Sequence, residues 1–102
     1  MNEECEVLEM ARFAMVGGST EVLRGAAQRI ETWLRMQPGF RSRTLVGPDE
    51  QGRFTDLVRW RRHEDAVGAG RRFMESECAR EFLALVQKDS VEMCCAPVVM
   101  EA

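Results

Sequence analysis

DLVRWRRHEDA, residues 56–66, is the stretch in which the alternation of a strand gives way to the periodicity of a helix. Asp56, Val58 and Trp60 share one face of the predicted strand, and Arg59 lies on the other. His63 then begins the predicted helix. The stretch therefore predicts three separate places: a tryptophan that faces the helices, an arginine that faces away from them, and a histidine at the turn.

The rest of the chain predicts the elements that surround this junction. Alternating apolar residues predict strands, three- and four-residue spacing predicts helices, and Gly and Pro mark the turns between them. The predicted strands span 5–16, 40–47, 53–61 and 91–96, with a helix over 20–36 and a long one, bent near Ser76, over 63–88. The βαββαβ order is ferredoxin-like, an α+β fold whose antiparallel sheet carries both helices on one face. We expect one domain, residues 1–102.

Composition limits the function classes. The chain has 102 residues, of which 45% are hydrophobic and 30% charged, with a net charge of −3. No apolar run approaches the roughly 18 residues of a membrane span, so no membrane association is expected. The start of the chain, MNEECEVLEM, is acidic, whereas a signal peptide is basic and then apolar. This difference predicts a cytoplasmic protein. Because no aromatic platform is interleaved with the central arginines and the pI is near 5.2, nucleic-acid binding is not expected.

The four cysteines and the single histidine do not have the spacing of a metal site. Cys94 and Cys95 are adjacent, so in a strand they would point to opposite faces and could not easily share a metal or a disulfide. We expect reduced cysteines that act as small apolar residues. No metal and no cofactor are predicted.

One face of the predicted sheet mixes apolar and charged residues. Such a face is too apolar for solvent and too charged for a dry core, and a second copy of the chain would cover both kinds of side chain. Its arginines would pair with carboxylates such as Glu92. The sequence therefore predicts a homodimer through the face that carries Leu8, Met10, Leu45 and Leu57 together with Arg12, Arg43, Arg59 and Arg61.

Three segments of the chain together indicate a family. QPGFRSRTL (37–45), FTDLVRWRRHEDA (54–66) and ESECAREFLALV (75–86) resemble the antibiotic-biosynthesis monooxygenase-like proteins of the dimeric α+β barrel superfamily. The resemblance implies two ferredoxin-like protomers packed sheet to sheet, each with a pocket between its own sheet and helices. Some members of the superfamily oxidise aromatic quinone precursors without metal or flavin, and others degrade haem.

The resemblance also suggests pocket residues. The tryptophan that ends the third strand in several members corresponds to Trp60. The asparagine and histidine of the haem-degrading branch fall at Ala11 and near Leu83, so both polar groups are missing and haem degradation is disfavoured. Together with Phe13, on the face of Ala11, the expected substrate-binding set is Ala11, Phe13, Trp60 and Leu83.

Asp56 is the candidate catalytic group, because a carboxylate on the helix-covered face is costly to bury without a partner. It would lie near the sheet edge or pair with an arginine, and we expect it to be the only titratable group in the pocket. Two functions stay open. The first is cofactor-independent oxidation of a small aromatic substrate, with Asp56, Trp60 and Arg12 as candidates. The second is a non-catalytic dimer that binds a small apolar ligand or serves as an interaction module.

Overall fold

The computed structural model describes residues 5–102 and has the predicted order of elements. Its four strands form one antiparallel sheet in the order β2-β3-β1-β4, which confirms the ferredoxin-like α+β fold. Within residues 5–102 no helix is long and apolar enough to cross a membrane. The elements are β1 (Val7–Ala14), α1 (Thr20–Leu34), β2 (Phe40–Val46), β3 (Arg53–Trp60), α2 (His63–Met74), α3 (Glu77–Leu83) and β4 (Glu92–Pro97), with a 3₁₀ turn at Lys88–Ser90 before β4.

Helix α1 begins and packs as its sequence indicates. The Ser19 hydroxyl accepts a hydrogen bond from the Val22 N–H (3.3 Å), which caps the first turn. Val22 is half-exposed, and the adjacent Leu23 is buried. The helix packs on the sheet through Leu23, Ala26, Ala27, Ile30 and Leu34.

The prediction of a single long helix over 63–88 is wrong. The chain forms two helices, and the break falls where the bend was expected. Helix α2 ends at Met74, and α3 begins at Glu77 with its own cap, because the Ser76 hydroxyl accepts from the Ala79 N–H (3.2 Å). After α3 the chain turns back to the end of β1, where the Val16 N–H donates to the Leu85 carbonyl (2.8 Å).

Strand β2 differs from the predicted alternation. Its register with β3 shifts between Phe40 and Ser42, so that Arg43 lies opposite Val58 and Leu45 opposite Asp56. Residues opposite each other in a sheet point to the same side, and Val58 faces the helices. Arg43 and Leu45 therefore lie on the helix side, and their predicted place on the outer face is wrong. A bulge of one residue reverses every later side chain.

The core lies between the sheet and its helices. Trp60 is 1% exposed and meets Phe40 edge-on at a centroid distance of 5.9 Å. Phe13 stacks on Phe54 at 5.8 Å and meets Phe82 edge-on at 5.4 Å, which ties β1 and β3 to α3. These aromatic contacts leave space beside them rather than filling the whole layer, and that space is the candidate site.

Candidate functional site

A cavity of about 340 Å³ lies between the sheet and the helices. Its wall is mostly aromatic and aliphatic, and Trp33 meets Phe73 edge-on across helices α1 and α2 at 5.6 Å. Trp33 of α1 is partly buried, packs against the core and lines this space. The structure brings five of the predicted site residues to the same cavity, namely Ala11, Phe13, Asp56, Trp60 and Leu83.

Asp56 enters this cavity as half of an ion pair. The Arg43 guanidinium donates from Nε to Oδ1 (2.8 Å) and from Nη2 to Oδ2 (2.5 Å), and its Nη1 donates to the Ala27 carbonyl (2.7 Å). The two side chains are 5% and 12% exposed, so the pair is shielded from water. Both carboxylate oxygens are thus held by one guanidinium, the strongest geometry for such a pair. The negative charge of Asp56 is balanced inside the pocket wall.

Glu9 is a second carboxylate at the cavity, and the sequence interpretation missed it. On β1 it lies opposite Val58, beside Trp60, and its Oε1 accepts a hydrogen bond from the Trp60 Nε1–H (2.9 Å). Burial raises the pKa of Glu9 above its ordinary value, the bond from Trp60 opposes that rise, and the charge of Asp56 adds to it. The expectation that Asp56 is the only titratable group in the pocket is therefore wrong.

Strand alternation alone could have found Glu9. It falls on the same face as Val7, Ala11 and Phe13, two residues from its neighbours, and a glutamate on an otherwise apolar strand face is the signal. Arg43 had no such signal, because its orientation depends on the bulge in β2. The position of Glu9 could therefore be predicted from the sequence, and that of Arg43 could not.

The remaining candidates lie elsewhere. Arg12 pairs with Asp49 (2.8 Å) in a half-exposed contact and does not line the cavity. His63 begins α2, as predicted, and is exposed, with its Nδ1 3.9 Å from the Cys95 sulfur. In the part of the chain that the structure describes, no three His, Cys, Asp or Glu side chains are grouped as a metal site would require.

Comparison with known proteins agrees with this architecture. SnoaB of Streptomyces nogalater, a cofactor-independent oxygenase, superposes with a TM-score of 0.74 at 20% identity, over 95% of this chain and 96% of SnoaB. The chain has the fold of the antibiotic-biosynthesis monooxygenase-like proteins. The family resemblance in the sequence is thus confirmed at the level of the protomer fold.

Two further solved structures share this fold. Rv0793 of Mycobacterium tuberculosis has 21% identity and a TM-score of 0.69, over 95% of this chain and 98% of its own. A Nitrosomonas europaea protein provisionally described as an antibiotic biosynthesis monooxygenase has 10% identity and a TM-score of 0.72, over 97% and 95%. No family model matches the sequence, and no curated protein sequence matches it. The similarity of this chain to the three proteins is therefore a similarity of fold.

Proposed function

We propose that the protein oxidises a small electron-rich aromatic compound with dioxygen, without a metal or an organic cofactor. The observation that carries this proposal is the cavity of about 340 Å³, whose apolar wall holds an arginine and two carboxylates. Binding sites for small molecules commonly combine an apolar wall with a few polar groups that orient the ligand. The structural likeness to SnoaB, a cofactor-independent oxygenase, supports the same reading.

The proposed reaction is balanced by the substrate itself. A methylene group activated by an aromatic ketone loses two hydrogens and gains one oxygen atom from O₂, which converts CH₂ to C=O. The second oxygen atom leaves with those two hydrogens as water. The substrate supplies all four electrons that reduce O₂. The protein has to bind the aromatic rings, remove a proton, stabilise the resulting anion and exclude bulk water.

Asp56 remains a proposed catalytic residue, together with Arg43. The guanidinium has five N–H donors, and three of its nitrogens each make one recorded bond, so donors remain for a substrate oxygen. A carboxylate has about four acceptor positions, so Asp56 has the capacity to accept from a substrate hydroxyl while it is paired. Ala11, Phe13, Trp60 and Leu83 supply the apolar contact surface, with the Trp60 ring held by its bond to Glu9.

Gly70 provides a test that leaves the rest of the wall intact. It lines the cavity from α2, and a Cβ at this position would meet no atom within 4 Å. Gly70→Leu should therefore fill the ligand space while it improves helix propensity by roughly 1 kcal/mol. The substrate probe is 1,8-dihydroxyanthrone, a three-ring phenol with an acidic methylene. We expect wild-type protein to form the quinone with one O₂ consumed per molecule, and Gly70→Leu to lose at least about ten-fold in rate.

The matched control is Gly25→Leu, another helical glycine whose Cβ would meet only the tip of Arg29 and which does not line the cavity. It should keep the wild-type rate. Quinone formation in wild-type protein no faster than spontaneous oxidation would contradict the proposal. Tight binding of the probe without turnover would instead favour the alternative, a non-catalytic module that binds small ligands.

We also propose that the protein is a homodimer, formed through the outer face of the sheet. The support is the composition of that face, where Leu57 lies beside Met10 and next to Arg59. Within one protomer Arg59 already contacts Glu101 (2.5 Å) and Arg53 lies 3.5 Å from Glu92. Neutralised arginines beside apolar residues suit a surface that a second copy covers.

A further inference from the structure

We propose that Glu9 is the group that takes the proton from the bound aromatic substrate, while Asp56 stays paired with Arg43. This inference rests on the proposed function, because it assigns a step within that reaction. It concerns a residue that neither the sequence motifs nor the resemblance indicated.

The two carboxylates of the cavity differ in their bonding. Within residues 5–102 Glu9 has one recorded side-chain hydrogen bond, from Trp60 Nε1–H to its Oε1, and no ion-pair partner. Its Oε2 therefore keeps its acceptor capacity. Asp56 has each oxygen bonded to the Arg43 guanidinium. A proton taken up by Asp56 would weaken a shielded ion pair, whereas a proton on Glu9 Oε2 breaks no recorded bond.

Glu9, Arg43 and Asp56 occupy neighbouring positions on one face of the sheet. Glu9 and Arg43 both lie opposite Val58, one on each side of β3, and Asp56 lies one cross-strand row away. All three line the cavity. Strand β3 separates the Arg43 guanidinium from Glu9. A substrate oxygen bound at Arg43 would thus lie beside β3, across that strand from Glu9. A base on one side and a cation on the other is the arrangement that removes a proton and stabilises the anion that forms.

Charged and titratable groups on the neighbouring strands lie around Glu9. Asp56 on β3 raises its pKa, Arg43 on β2 balances Asp56, and the Cys95 thiol on β4 lies opposite it in the sheet. His63, at the start of α2, contacts Cys95. The residues that α1 and α3 contribute to the cavity wall are uncharged. A carboxylate with a raised pKa is a stronger base than an ordinary one.

The proposed transfer moves one proton. The C–H bond of the activated methylene breaks, its electron pair stays on the substrate as an enolate, and the proton binds to a Glu9 oxygen. Nothing is oxidised in this step, so it needs no O₂. Proton transfer can therefore be measured without oxygenation, by anaerobic exchange of deuterium into the methylene of 1,8-dihydroxyanthrone, followed by NMR.

The experiment compares Glu9→Gln with wild-type protein in this anaerobic exchange and in aerobic quinone formation. Glutamine keeps the acceptor for Trp60 but cannot act as a base, so exchange should fall by roughly 10² to 10⁴-fold. The matched control is Glu50→Gln, which should leave exchange unchanged, because Glu50 is exposed in the β2–β3 turn and makes no ion pair within residues 5–102.

The pH profile of exchange separates a base from a merely structural residue. Exchange should rise with pH as Glu9 ionises. Trp60→Phe removes a hydrogen bond that favours the ionised form, so it should move this limb to higher pH. Asp56→Asn removes a nearby negative charge, so it should move the limb to lower pH. Circular dichroism checks that each variant is folded.

The outcomes separate this inference from the proposed function. Exchange that depends on Glu9 without any quinone formation would uphold Glu9 as a base and reject the oxygenase. Quinone formation that persists in Glu9→Gln would overturn the role of Glu9 alone. A pH limb that disappears in Asp56→Asn and survives in Glu9→Gln would assign the base to Asp56 instead. Wild-type protein that catalyses neither exchange nor quinone formation would reject both.

Discussion

Gly39 and Gly52 have almost the same backbone conformation in different surroundings. Their φ angles are +80° and +79°, in a backbone region that residues other than glycine rarely adopt. A Cβ at Gly52 would meet nothing within 4 Å, whereas one at Gly39 would overlap the Asp65 carboxylate. The Gly39 carbonyl also accepts from the Arg61 N–H (2.7 Å), which joins the start of β2 to the entry of α2. Gly39 therefore serves both a turn and a close contact.

Alanine substitutions should separate these two requirements. Gly52→Ala should cost about 1 to 2 kcal/mol of unfolding free energy, because only the backbone is strained. Gly39→Ala should cost more, because its Cβ also displaces Asp65. Urea denaturation of both variants gives the difference. Asp65→Ala combined with Gly39→Ala should recover the excess, and equal losses at Gly39 and Gly52 would show that the Asp65 contact is unimportant.

At the scale of elements, the sequence interpretation was wrong about the β2 register and about the helix over 63–88, and each error has a local physical cause. Element order and the partition of Trp60, Arg59 and His63 followed from periodicity, which side-chain geometry determines directly. The bulge in β2 is set by pairing with β3, so no pattern within FRSRTLV predicts that Arg43 turns inward. Asp56 could thus be predicted to need a partner, but that partner could not be identified as Arg43.

The break between α2 and α3 was only half visible in the sequence. A bend was expected at Ser76, but whether a serine interrupts a helix depends on whether its hydroxyl caps the next turn. Here it does, through the Ala79 N–H. Phe82 and Leu83 on α3 line the cavity. The Ser76 cap, which fixes the start of α3, therefore also positions this part of the cavity wall.

Removing the cap should therefore weaken the fold. We expect Ser76→Ala to lower the free energy of unfolding by about 1 kcal/mol, and Ser76→Asp, which restores a capping oxygen, to lose much less. Chemical denaturation followed by circular dichroism measures both variants. If the alanine and aspartate variants were equally stable, the Ser76 bond to Ala79 would have no net effect on stability.

At the scale of the whole molecule, the two faces of one sheet have different tasks. The helix side carries the cavity with its arginine and two carboxylates, while the outer side presents a row in which Thr44, Leu57, Met10 and Cys94 lie side by side across the four strands. Because β1 and β3 contribute to both faces, residues that alternate along one strand serve the pocket and the proposed interface in turn. Asp56 and Leu57 are adjacent in sequence, but Asp56 lines the pocket and Leu57 lies on the proposed interface.

If the outer face of the sheet forms the dimer interface, a charge introduced there should weaken the dimer. Leu57→Glu places an unpaired charge on the outer face, so it should weaken the dimer by at least about 3 kcal/mol, more than a hundredfold in Kd. Sedimentation velocity over a range of concentrations measures this change. Val67→Glu is the matched control, because it makes the same kind of change at a half-exposed position on α2, and it should leave the dimer intact. A wild-type protein that sediments as a monomer at micromolar concentration would contradict the proposed interface. A Val67→Glu protein that dissociates as readily as Leu57→Glu would locate the contact on the helices instead, over the cavity rather than behind it.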